Sequence, residues 1–287
     1  MRARLWIAER NLFMITADFH NHTSFSSDST APMEGQIRQA ISLGFTRLCV
    51  TDHMDRHYPN PIDKGSFELE PDAYFDSLQT LRARYRGQIE LLFGIEFGLR
   101  NEPHLKEEIL NFYQNLEASY PFDFIIGSTH ALHGADPASA EYWESATLKD
   151  GLRDYFQSIA DNASWYPCFD VYGHLDYIVR YVPAEVKDYC YEDYRERIDQ
   201  ALLAILNAGK GIEVNTAGLK TLSYPHPKKE ILMRYRELGG EIVTVGSDAH
   251  APEFLGYQFN RAEEYLKECG FRYYTVFKDR KPIFEKL

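Results

Sequence analysis

Met14-Ile15-Thr16-Ala17-Asp18-Phe19-His20-Asn21-His22 is the stretch on which the reading of this chain turns. Its apolar part, 14–19, reads as a short strand, and along a strand residues i and i+2 point to one face. His20 and His22 therefore stand side by side at the strand's end. Two imidazoles offered together from a rigid backbone suit a divalent transition metal. Taken alone, such a pair is more often an ordinary strand histidine followed by a loop residue, so the weight falls on whether the pattern recurs.

It does recur. Leu48-Cys49-Val50-Thr51 ends in Asp52-His53, and an apolar run over 89–93 ends in Gly94-Ile95-Glu96. Phe124-Ile125-Ile126-Gly127-Ser128-Thr129 ends in His130, Asp170-Val171-Tyr172-Gly173 in His174, and the run 241–245 in Gly246-Ser247-Asp248-Ala249-His250. Gly211-Ile212-Glu213-Val214-Asn215 supplies one further strand. Between them lie segments of helical period. The first passes through Ile37, Ala40, Ile41 and Leu43 and stops at Gly44, with an N-cap expected from the loop 26–30 just ahead of Pro32. Others span 72–86, 104–119, 148–165, 194–207 and 229–238. Seven strands linked by helices imply parallel pairing through right-handed crossovers, in an open sheet or a closed barrel. A last helix is expected around 261–269. An aromatic tail over 271–277 would cover the barrel or pair as an added strand. The chain reads as one domain over 14–287 behind a short extension, 1–13, and the connection 54–71 is long enough to be a lid or a substrate loop.

Composition narrows the function classes. The 287 residues are 44% hydrophobic and 26% charged, as in an ordinary globular protein. The formal charge of -12, from 43 acidic and 31 basic residues, works against a nucleic-acid or anionic-membrane partner. Cys49, Cys168, Cys190 and Cys269 show no metal or disulfide spacing, which argues for reduced thiols and a cytoplasmic setting. Neither a transmembrane run nor a secretory signal is legible. Oligomeric state is not legible either.

What gathers at the strand ends is His20, His22, Asp28 in the first loop, His53, Glu96, His130, His174, Asp248 and His250. Six of the ten histidines belong to this set. In a barrel of parallel strands those ends share one mouth, so nine imidazoles and carboxylates would converge on a polynuclear site suited to zinc, manganese or iron.

These motifs, in this order, resemble the polymerase and histidinol phosphatase (PHP) family of metal hydrolases, and the likeness runs from about residue 15 to 257. The segments Phe169-Asp170-Val171-Tyr172-Gly173-His174-Leu175-Asp176 and Ile212-Glu213-Val214-Asn215-Thr216-Ala217-Gly218-Leu219 look like its monofunctional histidinol-phosphatase branch. The resemblance implies a distorted, TIM-like (β/α)7 barrel of the α/β class with three divalent ions. His20, His22, Glu96 and Asp248 would hold the first, Glu96, His130 and His174 the second, and Asp28, His53 and His250 the third. It implies hydrolysis of a small phosphorylated substrate, L-histidinol phosphate, in histidine biosynthesis. Several cations suit that chemistry, since a phosphate dianion repels an anionic nucleophile until its charge is neutralised.

Arg180, six residues after His174, is the candidate phosphate grip because a guanidinium offers two parallel hydrogen bonds; Lys220 is a second. Asp248, His250 and water are the candidate proton donors to the leaving oxygen. Asp55, Tyr58, Asp63 and Glu68 on the long loop are candidates for the substrate's amine and imidazole. His133 would lie just behind His130, and His57, His104 and His226 read as surface or loop histidines. Two readings compete: the same site acting on a sugar phosphate, nucleotide, phosphotyrosine or DNA, or a barrel that binds metal without turnover. The acidic charge disfavours the nuclease, and the complete set of nine disfavours the inert barrel.

Overall fold

A computed structural model describes residues 15–59, 67–184 and 187–287; the extension 1–13, Met14 and Asp63 lie outside them. Seven parallel strands pair in sequence order: β1 (Ala17–Asp18), β2 (Arg47–Val50), β4 (Glu90–Gly98), β5 (Phe124–Ser128), β6 (Val171–Tyr172), β7 (Gly211–Asn215) and β8 (Val243–Gly246). A short β3 (His53–Met54) prolongs β2 along β4, because Val50 lies opposite Phe93 and His53 opposite Glu96 at the same offset. The sheet closes where Phe19 N donates to Val245 O (3.1 Å), Asp248 N to His20 O (2.7 Å) and His22 N to Ala249 O (2.9 Å). That is the seven-stranded TIM-like barrel the resemblance implies.

Period two along the strands sorts core from site. On β4, Phe93, Ile95 and Phe97 point outward and are buried under the helices. The Phe97 ring stacks on Tyr113 of α3 (Lys106–Ser119) at 4.2 Å, and Phe93 meets Tyr74 of α2 (Pro71–Arg84) at 5.4 Å. The alternate residue, Glu96, is thereby turned into the barrel. The outer layer is completed by α1 (Met33–Leu43), α5 (Leu148–Trp165), α6 (Arg195–Asn207), α7 (Lys229–Glu237) and α8 (Phe259–Glu268). A short α4 (Ala140–Ser145) was not legible in the sequence. Helix α1 ends at Gly44 with φ 79°, but Pro32 occupies its N-cap without a side-chain bond, so the expected hydroxyl cap is not made.

The aromatic tail forms β9 (Tyr273–Lys278), paired antiparallel with β10 (Lys281–Lys286) rather than with the barrel. Asp279 and Arg280 turn the hairpin with φ 50° and 61°, the left-handed pair that matches strand twist. This hairpin closes the end of the barrel opposite the site. Phe277 packs on Phe124 at 5.0 Å, and Val243 N donates to Thr275 Oγ1 at 3.1 Å. Arg280 reaches Asp170 (2.5 Å) and Glu117 (2.7 Å), while its amide donates to Asp123 O (3.0 Å).

Asp170 is buried, so Arg280→Ala would leave its carboxylate short of its cation. We expect a loss of about 2 to 3 kcal/mol in urea unfolding with bound metal unchanged. An unaltered midpoint would show that the hairpin is not pinned this way.

Candidate metal centre

Glu96 is the centre of the site. It has no exposed surface, and five imidazoles surround it. Its Oε2 lies 3.2 Å from His20 Nε2, 3.5 Å from His22 Nε2 and 3.1 Å from His53 Nδ1. Its Oε1 lies 3.2 Å from His130 Nε2 and 3.1 Å from His174 Nε2, and accepts from Ser128 Oγ at 2.6 Å. One carboxylate thus faces two groups of histidines. The His20 and His22 rings are 5.2 Å apart, side by side as the strand period requires. Asp248 Oδ1 approaches His22 Nε2 at 3.2 Å and His20 Nε2 at 3.8 Å. Asp248 adopts φ 51° to do so, a left-handed backbone that costs a non-glycine residue on the order of 1 kcal/mol.

Donor atoms lie within 4.8 Å of one another in the sets His20-His22-Glu96, Glu96-His130-His174 and His22-His53-His250, among others. The sets take in eight of the nine expected residues, Asp248 through a set with His20 and His174, while Asp28 is in none of them. The sets overlap: the first two each fall within one implied group, whereas His20-His174-Asp248 and His53-Asp55-His130 run across the groups. In the third, His53 and His250 group with His22, while Asp28 Oδ2 stands 3.1 Å from His250 Nε2 and 3.8 Å from His53 Nε2.

Carboxylates behind the ring hold the imidazoles in place. Glu213 on β7 pairs with His20 Nδ1 at 2.7 Å and accepts from His174 N at 3.1 Å, turning His20 Nε2 toward the centre. A side chain at Gly246 would collide with both partners, since its Cβ would sit 2.2 Å from His20 Cβ and 2.4 Å from Glu213 Oε1. Asp55 pairs with His130 Nδ1 at 2.6 Å, and Ser26 Oγ meets His22 Nδ1 at 3.2 Å. Buried His20 Nε2, His22 Nε2 and Glu96 Oε2 make no hydrogen bond, as expected of atoms aimed at a cation. The charge balance agrees. Burial opposes charge on His20, His53 and His130, yet the surrounding carboxylates hold His20 and His53 well above the usual imidazole value and raise His130 to about 10. Burial, helped by His53 and His250, lowers His22 to about 3. Burial would raise Glu96, but His20, His130 and His53 hold it well below the carboxylate range. The donor set fits divalent metal.

The centre opens into a cavity of about 250 Å³ whose rim carries Tyr177, Arg180, Tyr181 and Lys220. Arg180 lies over the Tyr177 and Tyr181 rings at 5.4 and 5.3 Å, with its Nη1 3.9 Å from Asp248 Oδ2. Lys220 Nζ sits 4.4 Å from the Phe254 ring. A roomier cleft of about 620 Å³, beside Arg236, Arg272 and Phe284, is at the hairpin end and gathers no metal-ligating cluster.

Some expectations need correction. His226 is fully buried rather than a surface residue, and His133 is exposed and paired with Asp154 at 3.1 Å rather than lying behind His130. Asp55 is buried behind His130, out of reach of a substrate amine, and Glu68 pairs with Arg56 at 2.7 Å. His57 and His104 are exposed as expected. Sequence reasoning missed Glu213 and the Tyr177–Tyr181 pair, although Glu213 falls in step with Asn215 on the inward face of its strand.

Residues 18–217 match the family model described as the PHP domain. A histidinol-phosphatase of Lactococcus lactis is 27% identical over 265 residues, covering 92% of this chain and 95% of that protein. A probable histidinol-phosphatase of Clostridium acetobutylicum is 31% identical, covering 89% and 94%. The crystal structure of the Lactococcus lactis histidinol phosphate phosphatase, complexed with zinc, L-histidinol and phosphate, superposes with a TM-score of 0.83 at 26% identity, covering 93% of this chain and 98% of that one.

His20→Ala or His22→Ala is expected to lower bound metal and remove most activity while the barrel still folds, as elemental analysis and circular dichroism would show. Full metal content in either variant would contradict the geometry. Imidazoles held above their usual value carry protons at pH 7 and must lose them to bind metal. Loading metal-free protein with zinc at pH 7 should therefore release at least about two protons, read by calorimetry across buffers, and affinity should fall as pH falls. Binding without proton release would contradict this account.

Proposed function

The chain belongs to the PHP domain family, and from that premise we propose that it is a metal-dependent phosphomonoesterase converting L-histidinol phosphate and water to L-histidinol and phosphate. The observation that carries this reading is the Glu96-centred cluster at the floor of a small cavity, with Arg180 on its rim, in a chain that follows the Lactococcus lactis enzyme over nearly its whole length. Three divalent ions of zinc, manganese or iron would be held by His20, His22, Glu96 and Asp248, by Glu96, His130 and His174, and by Asp28, His53 and His250. Bound there, the ions supply positive charge to the phosphoryl oxygens and the entering water.

The protein's own side chains do the rest. Arg180, its guanidinium held over two tyrosine rings, presents paired donors to a phosphate oxygen edge. Lys220 adds a second cation from the opposite loop; burial and Arg180 lower its pKa, against the pull of Asp248. Water attacks phosphorus and gives up a proton, the bond to the leaving oxygen breaks, and that oxygen takes up a proton passed on by Asp248, His250 or water at the mouth. The Tyr177 and Tyr181 rings give the imidazole of the substrate a wall to lie against.

The same reading treats 14–287 as one domain acting on a small molecule in the cytoplasm, with 1–13 as an appendage. Among the described residues no helix is long and apolar enough to cross a membrane. The charge of -12 disfavours a nucleic-acid substrate.

L-histidinol phosphate should be hydrolysed with kcat/KM at least roughly 100-fold above p-nitrophenyl phosphate, a gap of about 2.7 kcal/mol. A panel with sugar phosphates, nucleotides, phosphotyrosine peptide and single-stranded DNA tests it, and preference for any of these would remove the histidine-pathway assignment. Arg180→Lys keeps charge but loses the fork, so kcat/KM should fall by about 1 to 3 kcal/mol equivalent with metal unchanged. An unaltered kcat/KM would return Arg180 to a bystander.

A further inference from the structure

Two loops carry the cations at the cavity mouth, and one buried carboxylate, Asp176, joins them through His226 and Lys228 N. The first loop leaves β6 after His174 and winds through a 3₁₀ turn, Tyr177–Tyr181, that bears Arg180. The second leaves β7, makes the turn Thr216–Lys220, and returns to the strand end where His226 and Asn215 exchange backbone hydrogen bonds of 2.7 and 2.9 Å. At that return point the fully buried His226 pairs through Nδ1 with Asp176 Oδ1 at 2.5 Å. Asp176, also without exposed surface, immediately precedes the turn that bears Arg180. Its other oxygen accepts from Lys228 N and Tyr189 Oη, each at 2.9 Å.

We propose that His226 is a positioning residue that sets the spacing of Arg180 and Lys220, and so governs capture of the phosphate group, without touching substrate or metal. On the first loop, Asp176 fixes the start of the turn, Tyr177 then lies 4.6 Å from the His174 ring and 6.4 Å from the His226 ring, and Arg180 rests on Tyr177. On the second, the backbone of Gly218, two residues before Lys220, lies against the same histidine. A Cβ at Gly218 would be 3.0 Å from His226 N and 3.1 Å from its Cδ2, so the loop tracks the imidazole closely. His226 Nε2 makes no hydrogen bond, which leaves Nδ1 to Asp176 as the ring's polar tie. A phosphate held between two cations is sensitive to their separation, and displacements well under 1 Å in the second loop would reach Lys220 directly. This inference rests on the phosphatase reading above, in which Arg180 and Lys220 bind phosphate.

The test is inorganic phosphate titrated by calorimetry into the full-length, metal-loaded protein, beside L-histidinol phosphate kinetics, metal content and Tm. In His226→Asn the amide nitrogen stands where Nδ1 was and can still donate to Asp176. In His226→Gln it stands nearer the place of Nε2, and His226→Leu has no donor. The asparagine variant should bind phosphate within about twofold of the parent. Glutamine and leucine should weaken phosphate binding and raise KM by about tenfold, with metal content unchanged and kcat within about threefold. If the leucine variant does not fold, the asparagine and glutamine pair decides the matter. Equal phosphate affinity in both of these, whatever happens to Tm, would reduce His226 to a structural residue and overturn the proposal. So would a loss of kcat or metal at unchanged phosphate affinity. A parent that binds phosphate but cleaves no phosphoester would instead overturn the phosphatase reading, and the asparagine–glutamine contrast in phosphate affinity would still decide the role of His226.

Discussion

Everything in this barrel answers to one carboxylate. Glu96 carries its charge with no exposed surface, and an ion taken out of water costs several kcal/mol unless opposite charge meets it at close range. Five imidazole nitrogens within 3.5 Å meet that need, and they come from the ends of β1, β3, β5 and β6. Four strand ends must therefore reach the same height around β4. Parallel strands closed into a barrel do this by construction, which is why the site sits at the carboxyl ends of the strands.

The second constraint is that each imidazole must present a chosen nitrogen. Glu213 fixes His20 and Asp55 fixes His130, by the same device of a buried carboxylate on the far ring nitrogen. These partners are buried themselves, and Glu213 is held further by His174 N and Asn215 Nδ2. The His226–Asp176 pair repeats the device one layer further out, where it joins loops in place of orienting a ligand. At the opposite end the β9–β10 hairpin seals the barrel with Arg280, which keeps solvent away from the base of the strands that converge on Glu96.

The strand-end ligands were legible because a motif that recurs after six of seven apolar runs has a geometric meaning even before the strands are paired. Their partition around Glu96 came with the family resemblance alone; the geometry brings the donors close in overlapping sets, with His22 beside His53 and His250, and His20 beside His174 and Asp248. Glu213 and Asp55 were harder. Each is an ordinary carboxylate until register places it behind a ring, and Asp55 even looked like a loop residue free to meet substrate. His226 does lie in a loop, one of the two readings the sequence allowed, but that loop folds back on β7 and buries it. The β9–β10 hairpin was half visible: the aromatic tail was expected to cover the barrel or pair as an added strand, but Asp279 and Arg280 lack the glycine that usually announces such a turn.

The account stands on the cluster being a working metal site rather than a charged core. The most direct measurement is turnover of L-histidinol phosphate by protein stripped with a chelator and then titrated with zinc or manganese, with bound metal counted at each step. The account predicts no turnover in the stripped protein, recovery that tracks metal bound, and saturation near three ions per chain. Full turnover in the stripped protein, or metal that binds without restoring any hydrolysis, would contradict it.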